Sequence, residues 1–298
     1  MRFPAGPEPR SYQRHVIGWE RHRARPAGLT ATEGVVMPTR TTNWPAGTPN
    51  WVDCSFDHMH RAKDFYAKLF GWEIREGGDD MGGYAVALKH HHAAAGLAPR
   101  MQPDVPSAWS TFFASDDVDA TAGAIRDAGG RTLVEPMDVP NTGRMAFFQD
   151  PEGAAFGVWQ GGEHPGFGIF NEPGSVGWND LMTRDLEGAK SFYGKVFGFS
   201  YEEMGTDYVT IKRASDGEVV AGMHLATQLP DDVPANWLTH FVVADRDSTV
   251  AIVEELDGEV LMSFDTPFGP EATIRGPEGE TFNVIAFSPE AENGRDAE

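Results

Sequence analysis

The stretch RAKDFYAKLFGWE, residues 61 to 73, is written again as GAKSFYGKVFGFS, residues 188 to 200. A repeat inside one chain constrains the fold more than any local pattern, and its extent separates a copied helix from a copied domain. The helices align Trp51 with Trp178, Asp53 with Asp180, and Phe65-Tyr66 with Phe192-Tyr193, an offset of 127 residues. Downstream, AAGLA (94 to 98) meets VAGMH (220 to 224), and Trp109 meets Trp237. DDVDATAGAIRDAGG (116 to 130) meets ADRDSTVAIVEELDG (244 to 258), and DPEGAAFGVW (150 to 159) meets GPEGETFNVI (276 to 285). Matches dispersed over so many positions indicate a tandem duplication.

Each copy has the same order of elements. WVDCSF alternates as a strand does; WEIRE, GYAVALK and AAGLAPR follow the helix as strands parted by turns. STFFAS is the next strand, and DVDATAGAIRDAG has an acidic start, helical apolar spacing and a Gly stop. RTLVEP, RMAFFQD and AAFGVWQ complete a βαβββ-βαβββ unit. The expected class is α+β, with helices on one face of a mostly antiparallel sheet and the other face concave and free. The Phe-Tyr pairs and Phe-Gly-aromatic endings read as the core face and C-terminal stop of each first helix.

Boundaries follow from composition. Residues 1–47 read as a basic, disordered extension, 48–161 and 174–288 as the two domains, 162–173 as a Gly/Pro-rich linker, and 289–298 as a disordered tail. The first 36 residues hold six Arg against three Glu and no continuous apolar signal region, and Met37 would serve equally as a start. The net charge of -21, with 24 basic against 45 acidic residues, disfavours nucleic acid and anionic membranes as partners. No run approaches the ~20 apolar residues of a membrane span. Cys54 stands alone, which fits a reducing, cytoplasmic setting and a small apolar strand residue. A small-molecule ligand and a monomer or homodimer are the expected partners.

Taken together, the opening strand, RAKDFYAKLFGWE, DDVDATAGAIRDAGG and DPEGAAFGVW resemble the vicinal oxygen chelate superfamily of glyoxalase I, extradiol dioxygenases and bleomycin-resistance proteins. The paired tryptophans and the AGL/AGM strands are most similar to a tandem-domain actinobacterial group with a culture-filtrate antigen, labelled hydroxylase or glyoxalase. The resemblance implies two tandem domains, each a pair of βαβββ modules forming a U-shaped sheet. It also implies metal ligands at set positions, which here fall on Trp51, Ser110 and Gly157 in the first unit and on Trp178, Leu238 and Asn283 in the second. None is a usual ligand, so no cofactor is expected, with a divalent metal at a non-standard site as the alternative.

The residues that share concave parity are then the candidates. Trp51, Asp53, Ser55 and Trp159 line the first unit; Trp178, Asp180, Met182 and Asn283 line the second, where His224 and His240 enter as well. Asp180, His240, His224 and Asp53 are the candidates for acid-base chemistry. A two-His site with Asp180 stands beside a hydrogen-bonding role for the histidines. His90, His91 and His92 read as an exposed hairpin end. Aromatic walls with a carboxylate suit a planar organic ligand, with one alternative that the tryptophans simply fill shrunken pockets. Three functions stay open: metal-independent small-molecule binding, a lyase, isomerase or oxygenase, and a module with degenerate pockets. The second pocket, richer in polar groups, is the expected site, and the corresponding first-unit residues are Asp53, Leu97, Phe112 and Gly157.

Overall fold

The computed structural model describes residues 39–78, 81–102, 104–230 and 233–288. The expectations for the N-terminal 36 residues, for Met37 and for the tail from 289 lie outside them. Strands β1 (Pro49–Phe56), β2 (Glu73–Glu76), β3 (Ala85–Lys89), β4 (His92–Pro99), β5 (Trp109–Ala114), β6 (Arg131–Val139), β7 (Gly143–Gln149) and β8 (Ala155–Gly161) form one sheet in the order β2-β3-β4-β1-β5-β8-β7-β6. Strands β9 (Val176–Thr183), β10 (Ser200–Glu203), β11 (Tyr208–Lys212), β12 (Val219–Leu225), β13 (Asn236–Val242), β14 (Glu259–Thr266), β15 (Gly269–Arg275) and β16 (Thr281–Ile285) repeat it as β10-β11-β12-β9-β13-β16-β15-β14. Only β1 with β4, β5 with β8, β9 with β12 and β13 with β16 pair in parallel among the described residues. The duplicated α+β architecture is as the sequence implies.

Four helices, α1 (Met59–Phe70), α2 (Val118–Asp127), α3 (Leu186–Phe197) and α4 (Arg246–Glu255), cover the opposite face. Asp117, Asp185 and Asp245 cap three of them by accepting from the backbone N–H three residues on. Helix α1 has no such cap from its own segment; Glu278 of the second unit accepts from Asp57 N and His58 N instead. Both Phe-Gly-aromatic endings place the glycine, Gly71 or Gly198, in the left-handed region where a Cβ is costly, and the helix ends there. His90 and His91 form the tip between β3 and β4 with φ of 50° and 66°. No helix among the described residues is long and apolar enough to cross a membrane.

The core departs from the simple picture of one helix layer behind each sheet. One cluster joins β1, α1, Trp72 and Trp109 of the first unit to Phe241, Val253, Ala272, Ile274, Phe282 and Val284 of the second. The other joins Phe113, Ile125, Phe148 and Phe156 of the first unit to Phe192, Tyr193, Ile211, Met223 and Trp237 of the second. Each core is thus built from the first half of one unit and the second half of the other. Tyr66 makes the crossing explicit: its hydroxyl donates to Glu280 Oε1 at 2.6 Å and accepts from Trp109 Nε1 at 3.1 Å. Tyr193 mirrors it, donating to Asp150 Oδ2 at 3.1 Å and accepting from Trp237 Nε1 at 2.9 Å. Cys54 is a buried member of the first cluster, and burial pushes its thiol up, away from nucleophilic use.

Candidate functional site

Strand alternation and register collect the polar residues of the second unit on one face. Asp180 pairs with Gly222 and Leu238, Trp178 with His240, His240 with Asn283, and Met182 with His224. Register extends the same face to Tyr208 beside His224, Thr210 beside Gly222, Thr273 beside Asn283, and Glu271 beside Phe264. Their alternates, Val209, Ile211, Ala221, Met223, Leu181, Phe282 and Val284, fill the cores. The same alternation that builds the interior therefore turns every polar candidate outward, into the concavity.

His240 lies at the floor between two carboxylates. Its Nε2 is 3.2 Å from Asp180 Oδ2 and its Nδ1 is 3.2 Å from Glu271 Oε2. Burial alone would push the imidazole down, but the bonds and charges of Asp180 and Glu271 outweigh it and push the pKa up to about 10. Burial opposes the Asp180 carboxylate as well; His240, with donors Tyr208 and Trp178, nonetheless holds it below its usual range. Trp178 Nε1 and the Tyr208 hydroxyl each reach Asp180 Oδ1 at 2.9 Å. Glu271 accepts from Thr266 Oγ1 at 3.2 Å and from Asn283 Nδ2 at 3.3 Å. The floor holds two carboxylates against one imidazolium.

Several polar atoms on this face remain unspent. Among the eight buried side-chain polar atoms without a hydrogen-bond partner in the described residues, Thr210 Oγ1, His224 Nδ1, His240 Nε2 and Asn283 Oδ1 belong to it. His240 Nε2 is ion-paired with Asp180 at 3.2 Å, which leaves Thr210 Oγ1, His224 Nδ1 and Asn283 Oδ1 as the unspent atoms. Around them stand half-buried Trp178, Met182, Tyr208, Leu238 and Phe264. An unpaired buried donor or acceptor costs ~1 to 3 kcal/mol, so such a concentration is what an absent hydrogen-bonding guest would relieve.

The first unit has the same frame and a different content. Trp51 Nε1 bonds Tyr84 OH at 2.9 Å, as Trp178 bonds Tyr208, and each tyrosine hydroxyl lies directly over a strand glycine. A Cβ on Gly96 or Gly222 would come within 1.8 Å or 2.1 Å of that oxygen, so the AGL/AGM glycines report the tyrosine crossing. Phe112 occupies the place of His240, Met145 that of Glu271, and Gly157 that of Asn283, with the Phe112 ring 2.0 Å from where a Gly157 Cβ would stand. The register pairs Asp53 with Gly96, which makes Ala98 the counterpart of His224; Leu97 is a core residue. The linker then lies across the concavity as a strap. His164 stands edge-on to Trp51 at 4.4 Å, Phe167 packs on Trp51 at 5.6 Å, and Trp159 Nε1 donates to the His164 carbonyl at 2.8 Å. Trp51 and Trp159 are left only 4% and 7% exposed, so these two sequence candidates face the strap rather than solvent.

Asp53 has no imidazolium beside it. Burial among these rings raises its pKa to about 7, only partly offset by the Tyr84 hydroxyl. A carboxyl raised from 3.8 destabilises the fold increasingly as pH climbs from 3.8 to about 7, and by a constant amount above. Asp53→Asn should therefore raise the Tm at pH 8 by about 2 to 4 °C for each kcal/mol recovered, with the gain fading toward pH 4. Thermal melts of both proteins across that range check this; an equal gain at pH 4 and pH 8 would refute the assignment.

At the positions where the resemblance puts metal ligands, Trp51, Ser110, Gly157, Trp178 and Leu238 offer no suitable donor, and Asn283 offers one amide oxygen. Among the described residues no group of three or more His, Cys, Asp or Glu is arranged to hold a metal ion. His240, with a carboxylate at each nitrogen, is placed as an imidazolium rather than as a ligand. The residues present do not fit the metal centre that the fold suggests. Sequence reasoning missed Tyr84, Tyr208, Thr210, Glu271, His164 and Phe167. The tyrosines recur in both copies, whereas Glu271 has no polar counterpart that would mark it.

The profile of the Glyoxalase/Bleomycin resistance protein/Dioxygenase superfamily matches residues 48–158 and 175–284. The chain is 36% identical over 266 residues to the protein named "Putative glyoxylase CFP32" of Mycobacterium tuberculosis, covering 85% of this chain and 100% of that one. It is 34% identical over 262 residues to the anthracycline biosynthesis protein DnrV of Streptomyces peucetius, covering 82% and 94%. The fold is similar to the Mn(II)-bound glyoxalase of Novosphingobium aromaticivorans, with a TM-score of 0.58, 16% identity and coverage of 81% and 83%. It is similar too to the 2,3-dioxygenase LapB of Pseudomonas sp. KL28, with a TM-score of 0.57, 12% identity and coverage of 83% and 99%. With both copies of the repeat matched by one family, the chain belongs to the Glyoxalase/Bleomycin resistance protein/Dioxygenase superfamily.

Proposed function

We propose that this protein binds a small planar organic molecule on the concave face of its second unit, without a metal at the family's usual positions. The observation that carries the reading is the set of three unspent polar atoms, on Thr210, His224 and Asn283, beside half-buried Trp178 and Tyr208. Aromatic walls supply area and the unspent atoms supply orientation, the two ingredients of a specific small-molecule site. The first unit, strapped by His164 and Phe167, serves as scaffold. His240 is held charged near neutral pH, which suits a fixed donor rather than a general base. A relative named for anthracycline biosynthesis is consistent with an aromatic ligand, since anthracyclines are fused-ring compounds.

Screening planar aromatic compounds by tryptophan fluorescence tests the reading. A binder should quench the wild type, lose most of its signal and affinity in Trp178→Phe, and keep both in Trp51→Phe. Treatment with a chelator should leave affinity within twofold. Loss of binding on chelation, or a response that follows Trp51, would overturn the proposal.

A further inference from the structure

The two units differ in what covers their tryptophans, and the difference points to the kind of molecule that the second one takes. Over Trp51 the chain supplies its own aromatic guest, the neutral imidazole of His164 set edge-on at 4.4 Å; burial pulls its pKa down to about 4. Trp178, by contrast, lies half-buried.

Charge separates the two places further. Near the first, Phe112 and Met145 replace His240 and Glu271, and Asp53 stands at the position of Asp180. The second has Asp180 and Glu271, both less than a tenth exposed, with His240 as their shared cation. Two carboxylates and one imidazolium leave a net negative charge; a neutral imidazole would leave a larger one. One of the unspent atoms, Asn283 Oδ1, accepts hydrogen bonds and so calls for an N–H or O–H donor on the guest. The rings of Trp178 and Tyr208 present faces that attract cations, and the -21 charge of the whole chain would draw a cation toward the molecule.

We infer that the ligand of the second unit is a cationic aromatic amine, its ring over Trp178 where His164 lies over Trp51, and an N–H group directed at Asn283 above the Asp180–His240–Glu271 floor. The inference rests on the planar-ligand reading and adds the charge. An anionic aromatic would meet an uncompensated carboxylate, and a neutral one would leave the surplus charge unused.

Two tricyclic probes of one shape test it on the full chain: 9-aminoacridine, a cation at neutral pH, and acridone, which is neutral. Binding is followed by Trp178 quenching and calorimetry at two salt concentrations. The cation should bind at least tenfold more tightly. Asp180→Asn and Glu271→Gln, each of which neutralises the floor with an isosteric side chain, should reduce that preference to within threefold. Glu254→Gln, the same charge change on the remote helix α4, should preserve it and so separates site charge from general acidity. Equal affinity for both probes, or a preference that survives both floor variants, overturns the inference while leaving planar binding intact. Binding of neither probe overturns the inference and the underlying reading together.

Discussion

Expressed alone, residues 172–290 should give no cooperative thermal melt, whereas residues 37–290 should melt in a single transition. The sequence, with a complete βαβββ pair in each copy, implies that either copy folds by itself. The crossed cores reverse that expectation. Without the first unit, Phe241, Val253, Ala272, Ile274, Phe282 and Val284 lose α1, Trp72 and Trp109 as their cover. The five larger of these side chains, at ~1.5 to 3 kcal/mol each, represent about 7 to 15 kcal/mol, comparable with the whole stability of a domain. The fragment would also leave the Tyr193 hydroxyl without Asp150, and the start of α3 without the Glu152 carboxylate that accepts from Arg184 N and Asp185 N. Far-UV circular dichroism during heating decides the matter. A sharp, reversible transition of the isolated fragment would mean that the crossed packing is dispensable.

The strands, helices and caps were legible because each depends on local chemistry repeated twice. Asp117 and Asp245 announce helix starts, Gly71 and Gly198 announce stops, and alternation alone puts Trp178, Asp180 and His240 on one face. What was not legible is whatever depends on which unit a residue meets. The Phe-Tyr pairs are core residues, as their spacing implies, but Tyr66 bonds Glu280 at 214 residues' distance. Its mirror, Tyr193, uses Asp150 at a position where the other copy has Gly276; a strict repeat comparison hides that the carboxylate has moved from one end of the turn to the other. The linker was misread for a related reason. GGEHPGFGIF has the composition of a spacer, yet Asn50 and Ala93 carbonyls accept from Phe167 N and Gly168 N, and these backbone bonds convert it into a strap. Glu271 was overlooked because its importance arises only when β15 lies two strands from His240 and brings the carboxylate to its Nδ1.

His240→Ala should cost about 3 to 5 kcal/mol of stability near pH 6, because it strands Asp180 and Glu271 as buried carboxylates without their shared cation. His240→Gln, which fills the space and can still donate, should recover part of the packing and little of the charge. The pH dependence carries the sign of the effect. A histidine raised to about 10 from 6.5 contributes stability fully below 6.5, and that contribution is lost as pH rises through 10. Asp180, depressed below 3.8, contributes above 3.8 and loses its contribution as pH falls through the folded value. The gap between wild type and His240→Ala should therefore be widest between about pH 4 and 6.5 and close progressively toward pH 10. Trp178 and Tyr208, which face the same carboxylate, do not ionise in this window, so the slope belongs to the Asp180–His240–Glu271 cluster. Denaturant titrations at pH 6, 8 and 9.5 measure the gap directly. A difference below about 1 kcal/mol at pH 6, within the range of a surface substitution, would show that His240 does not hold the two acids in place. A gap of full size that stays constant to pH 9.5 would show that the residue contributes by packing instead of charge.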